Sequence, residues 1–150
     1  MVTKHPWAGG PHPWREWRGM PEVALHWVEL PGTKRATTDG RRNVWFGKNK
    51  MLQVERRCTS RHEQEHIIAG HTGCVTGTEE ARVRFRAAQW LCPNPKHVAD
   101  ALIASGGGVH DAADALWLDE PTFRARLDQR FMHPAERQLI HAALLEVLHP

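Results

Sequence analysis

The run His62-Glu63-Gln64-Glu65-His66 sets two imidazoles four residues apart, with a carboxylate between them. The surrounding stretch, Met51 to Ala69, reads as a helix that Gly70 would close. On a helix, positions four apart share a face, one turn apart. Two imidazole nitrogens so placed can hold one Zn²⁺, and the Glu between them can reach a water beside the metal. That is the core of a zinc peptidase. The chain contains 11 His, so a short match needs support from other residues. A plainer role also exists: Ser60 and Glu63 fit the S-x-x-E capping box of a helix start.

A catalytic zinc takes three protein ligands and keeps one position open. The extended pattern HExxHxxGxxH would need Gly at position 69 and His at position 72, where the chain has Ala69 and Thr72. Gly70 and His71 are each displaced from it by one residue. His71 still falls close to the motif. It could support a ligand from behind, stabilise an oxyanion, or be an ordinary surface His. The other solution takes a Glu from a following helix. Glu79 and Glu80 open the next expected helix, Glu79 to Leu91, although acidic side chains are favoured at any helix N-terminus. Cys58, Cys74 and Cys92 are odd in number and form no C-x-x-C. This argues against a disulfide framework or a cysteine zinc knuckle, and makes reduced thiols in a cytoplasm the expectation. Cys58 and Cys74 flank the motif, so a thiolate ligand stays open.

The elements that must position these groups read as strands first and helices after, an α+β order. Residues 1–13, with Gly9-Gly10-Pro11, read as a lead-in, and Trp14 to Met20 as a short helix. Val23 to Leu30 alternates as a strand. Asp39-Gly40 signals a turn before a second strand, Asn43 to Phe46. Pro93-Asn94-Pro95 ends the helix after the motif. Short helices are expected over His97 to Ala104, His110 to Leu116 and Pro121 to Phe131, with a last one over Pro134 to Leu148. The 150 residues allow one domain with a proper core, or one domain plus a small appendage. No apolar run is long enough to span a bilayer, and no secretory h-region is visible. The net charge of +3 conceals an asymmetry. Residues 1–57 carry 11 Lys/Arg against 5 Asp/Glu, and residues 58–150 carry 9 against 12. A solvated basic surface is the favoured reading of the first half, and an acidic partner or nucleic acid would also fit it. Most of the seven Trp are expected in the core.

Several pieces in order resemble the ImmA/IrrE family of zinc-dependent endopeptidases, over residues 14–93. Val44-Trp45-Phe46 after a Thr-Thr-Asp-Gly turn is similar to the family's "IWL" strand. Glu55-Arg56-Arg57-Cys58-Thr59 looks like the run-in to its zinc helix, and Gly70-His71 like the pair that closes it. Glu80, Ala87-Ala88, Leu91 and Pro93 follow the spacing of its second helix, E-x₆-A-A-x₂-L-x-P. The resemblance implies a small N-terminal antiparallel sheet packed on a zincin-like helical core over 14–95, then a C-terminal helical subdomain over 96–150. It implies Zn²⁺ on His62, His66 and Glu80, with Glu63 as the catalytic base. It implies that the strand Asn43, Val44, Trp45 and Phe46 is an edge that binds substrate by strand addition. Its implied substrate is a helix-turn-helix repressor that controls phage lysogeny or a stress response.

The chain departs from the family pattern twice. Glu65 stands where Gly is usual. Arg84 stands where an Asp or Asn normally accepts a hydrogen bond from a ligand His, which a guanidinium cannot do. Asp100 or Asp111 are candidate replacements. Two other readings compete. One is a zinc-holding regulatory protein that acts by protein–protein contact without proteolysis. The other is a DNA-binding helix-turn-helix over His110 to Phe131 with Arg124, Arg126 and Arg130, opposed by Asp119, Glu120 and Asp128.

Overall fold

A computed structural model describes residues 11–48, 50–73 and 75–150. The expected lead-in up to residue 10, together with Asn49 and Cys74, lies outside the described residues. The chain is α+β: a three-stranded sheet precedes most of the helices, of which seven are seen among the described residues. Helix α1 (Pro13–Glu16) runs into a 3-10 turn (Trp17–Gly19), where one short helix was expected. Strands β1 (Ala24–Val28), β2 (Ala36–Thr38) and β3 (Asn43–Gly47) follow. Then come α2 (Gln53–Ile68), α3 (Gly77–Leu91), α4 (Pro95–Ala104), α5 (Val109–Ala115), α6 (Glu120–Arg126) and α7 (Pro134–Leu148). None of the described helices is long and apolar enough to cross a membrane.

The sheet order is β1-β3-β2, and it is mixed. β1 runs parallel to β3 with Leu25 opposite Val44, while β2 runs antiparallel to it with Thr37 opposite Trp45. The expected antiparallel sheet is therefore corrected on two counts. β2 is an additional strand, and β3 lies in the middle. The reason is local. Asp39 accepts from the backbone N–H groups of Arg41, Arg42 and Asn43 and from Asn43 Nδ2, which folds 39–43 into a tight turn joining β2 to β3. That hairpin takes one side of β3 and leaves the other to β1.

Backbone contacts divide the described residues into two units, His12–Val83 and Arg84–Pro150 with Pro11, the main boundary falling inside α3. In the first unit Trp17, Val44, Phe46 and Met51 form a buried cluster, backed by Trp14, Leu25, Ala36 and Ile67. Of the described tryptophans only Trp17 is buried, contrary to the expectation for most of them. Trp27 stacks on Phe46 and on Trp14 with its outer side under the Arg56 guanidinium. In the second unit Arg126 is fully buried and donates to the carbonyls of Cys92 and Pro93 and to both Glu136 oxygens.

Candidate metal centre

Helix α2 carries the HExxH residues, and its capping shows which reading of the motif applies. Glu55 accepts from the Leu52 N–H at 2.7 Å and so closes the helix start, while also taking Arg35 Nη2 at 2.7 Å. Ser60 and Glu63 stand in the helix interior, so the capping-box alternative for them is set aside. The face of α2 away from the histidines is buried yet polar. Ser60 accepts from Trp17 Nε1 at 2.7 Å, and Gln64 donates to the Pro13 carbonyl at 2.8 Å. Arg61 pairs with Glu65 one turn on and also donates to Gln64 Oε1. Glu65, the departure inside the motif, is thus paired in place by Arg61 and buried.

The helix ends at Gly70, whose φ of +72° suits a residue without a Cβ. The chain turns back so that the His71 N–H reaches the His66 carbonyl at 3.0 Å. α3 then starts with Gly77 and brings Glu79 and Glu80 into its first turn. The two carboxylates separate. Glu80 faces the motif: its Oε1 lies 3.1 Å from His62 Nε2 and its Oε2 3.3 Å from His66 Nε2. Glu79 is half exposed and lies 3.6 Å from His71 Nε2 and 3.8 Å from Arg82.

His62, His66 and Glu80 form a group that could hold a metal ion. The two Nε2 atoms are 3.1 Å apart. A tetrahedral ion with bonds of about 2.0–2.1 Å sets its ligand atoms about 3.3 Å apart, so the three donors fit zinc or a similar ion. Two imidazoles and a carboxylate are also donors that zinc takes. Cys58 is buried within α2 and is not among these donors.

Glu63 is almost wholly buried beside this group. Burial raises its pKa above the ordinary carboxylate range, and the Glu80 charge adds to this, against the opposing pull of His62, His66 and Lys34. His66 is shifted upward as well, first by its hydrogen bond to Glu80 and against the effect of its own burial. His71 sits behind His66, Nδ1 to Nδ1 at 3.1 Å. Asp100, one of the replacements considered for the family's usual acceptor, is paired with Lys96.

The expected substrate strand needs correction. Asn43, Val44, Trp45 and Phe46 lie on the central strand β3, whose two sides are taken by β1 and β2. Val44 and Phe46 are wholly buried, and Asn43 Oδ1 is bonded to His26 at 2.9 Å. None of this is available for strand addition. The outer sides of the sheet belong to β1 and β2, and β2 is the one that packs on the helix carrying the motif. Arg35 O and Asp39 N bond to β3, so in the alternating antiparallel pattern residues 35, 37 and 39 face inward. The N–H and C=O groups of Ala36 and Thr38 then point to the open edge. β2 also packs on α2, and its following Gly40 lies directly against the His71 carbonyl. A three-residue strand without apolar alternation gave no sequence signal for this edge.

The arginines of the helix-turn-helix reading are all engaged. Arg126 is buried on Glu136, Arg124 pairs with Glu120, and Arg130 lies beyond α6 and pairs with Asp128. The segment retains no unpaired arginine among these three to meet a phosphate backbone.

No protein-family model, curated protein or solved structure matches this chain.

Proposed function

We propose that the protein is a zinc-dependent endopeptidase of ImmA/IrrE type. The observation that carries this reading is the convergence of His62, His66 and Glu80 within ligand distance of one another, with Glu63 buried next to them. Zinc bound there would supply a Lewis acid that polarises a peptide carbonyl and makes water acidic enough to act at neutral pH. His62 and His66 would offer their Nε2 atoms from one helix face, and Glu80 a carboxylate oxygen. Glu63 takes a proton from the attacking water and returns it to the leaving amine, a role that its place between the two histidines suits. Arg61 holds Glu65 away from that exchange. An extended peptide would pair with the open edge of β2, at Ala36 and Thr38, the strand that packs on α2. By resemblance its source is a helix-turn-helix repressor.

The test is co-expression of the full chain with candidate repressors, with fragments identified by mass spectrometry. The wild type should generate fragments. Glu63→Gln should keep its zinc and lose cleavage by about 10²–10⁴-fold, the usual contribution of a positioned general base. Undiminished cleavage by Glu63→Gln would remove Glu63 from the mechanism. Repressor binding without cleavage by either form would favour the non-hydrolytic regulator.

A further inference from the structure

We propose that Glu79 and His71 form a positioning relay that fixes the tautomer and ring angle of His66; this rests on the zinc reading above. His66 can offer its Nε2 lone pair to a metal only with its proton on Nδ1. That Nδ1 lies 3.1 Å from His71 Nδ1. His71 must then accept at Nδ1 and carry its own proton on Nε2. His71 Nε2 lies 3.6 Å from Glu79 Oε2, an ion-pair separation longer than a direct hydrogen bond, and a carboxylate can only accept. With His66 Nε2 given to an ion, this is the order of protons along Glu79–His71–His66 that the acceptors allow; without an ion, His66 Nε2 lies 3.3 Å from Glu80 Oε2 and can donate to it instead.

The backbone holds His71 in this place from two directions. Its N–H is bonded to the His66 carbonyl, and its own carbonyl packs under Gly40. Glu79 is in turn near Arg82, one turn along α3. The two glutamates at the start of α3 thus divide the work. Glu80 meets the ion, and Glu79 orients a residue that orients a ligand. This gives the chain an acceptor for a ligand His even though Arg84 cannot serve as one.

The experiment is zinc affinity of the full chain by competition with a chromogenic chelator, with a spectroscopic readout on the cobalt-substituted protein. His71→Phe removes the acceptor and should weaken zinc by about 10–100-fold, the usual range for loss of such a partner. His71→Gln can accept through its amide oxygen and should recover most of that loss. Glu79 is half exposed, so Glu79→Ala keeps the fold and should weaken zinc several-fold, whereas Glu79→Gln retains an acceptor and should not. In the cobalt form the His66 Nδ1 proton should exchange slowly in the wild type and quickly in His71→Phe, with His62 unchanged. If His62→Ala abolishes binding but His71→Phe and Glu79→Ala both bind as the wild type does, the relay is wrong and the zinc site stands. If the wild type takes up no zinc, the site reading fails and the relay with it.

Discussion

Gly40 offers a direct test of how the β2–β3 hairpin supports the site. Gly40 and Gly70 have nearly the same backbone conformation, φ +74° and +72°. An alanine at either meets the same left-handed strain of about 1–2 kcal/mol. Their surroundings differ completely. A Cβ on Gly70 meets nothing within 4 Å, while one on Gly40 would overlap the carbonyl oxygen of His71. Backbone cannot rotate aside as a side chain can, so Gly40→Ala carries a further overpacking term of about 1–3 kcal/mol. Gly70→Ala should therefore destabilise by about 1–2 kcal/mol and Gly40→Ala by about 2–5 kcal/mol. At about 2–4 °C per kcal/mol for a chain of this size, the two melting temperatures should be clearly resolved. Urea unfolding of the two variants side by side gives the difference with the strain cancelled. Gly40→Ala should also weaken zinc, because relief of the overlap moves His71. Equal losses in the two variants would refute the close approach of the hairpin to His71.

Three further outcomes follow from other residues. Arg126→Met should destabilise by about 3–5 kcal/mol in urea titrations, since it strands the buried Cys92 carbonyl and leaves the partly buried Glu136 without its cation. Asp39 has its carboxyl held well below the usual range, first by the Asn43 side chain and then by backbone N–H groups. A group with a depressed folded pKa contributes fully above its unfolded value of about 3.9 and loses the contribution as pH falls below it. Asp39→Ala should therefore flatten the acid limb of the stability–pH curve below about pH 4 and lower the plateau above it. Trp17→Phe removes the donor to Ser60 and should cost about 1–3 kcal/mol of thermal stability, measured by calorimetry, because Ser60 is left buried.

The HExxH helix was legible because its spacing, its Gly70 stop and the acidic start of α3 all stand in the sequence. The helix start at His133-Pro134 was legible for the same reason, whereas Asn94-Pro95, read as the end of one helix, also caps and opens the next, which starts two residues before the expected His97. The sheet was not. β2 is Ala36-Thr37-Thr38, too short for any period, and it exists because β3 pairs with it. Missing it made β3 look like an edge and hid the parallel pairing of β1. The buried side of α2 was hidden as well. Arg57, Ser60, Arg61, Gln64 and Glu65 are core residues of polar type, so hydrophobic periodicity misses them. Glu79 and Glu80 are alike in type and neighbours in sequence. Their types do not tell them apart; the spacing of the resemblance pointed to Glu80, and it is Glu80 that lies against the histidines of α2 while Glu79 lies near His71.

The central claim is that His62, His66 and Glu80 together hold one zinc ion. Its most direct test is metal stoichiometry, by elemental analysis, of the purified full chain after saturation with zinc and removal of excess. The account predicts one zinc per chain in the wild type and in Glu79→Ala, and none in His62→Ala, His66→Ala or Glu80→Ala. Zinc retained at full stoichiometry by Glu80→Ala, or absent from the wild type, would contradict it.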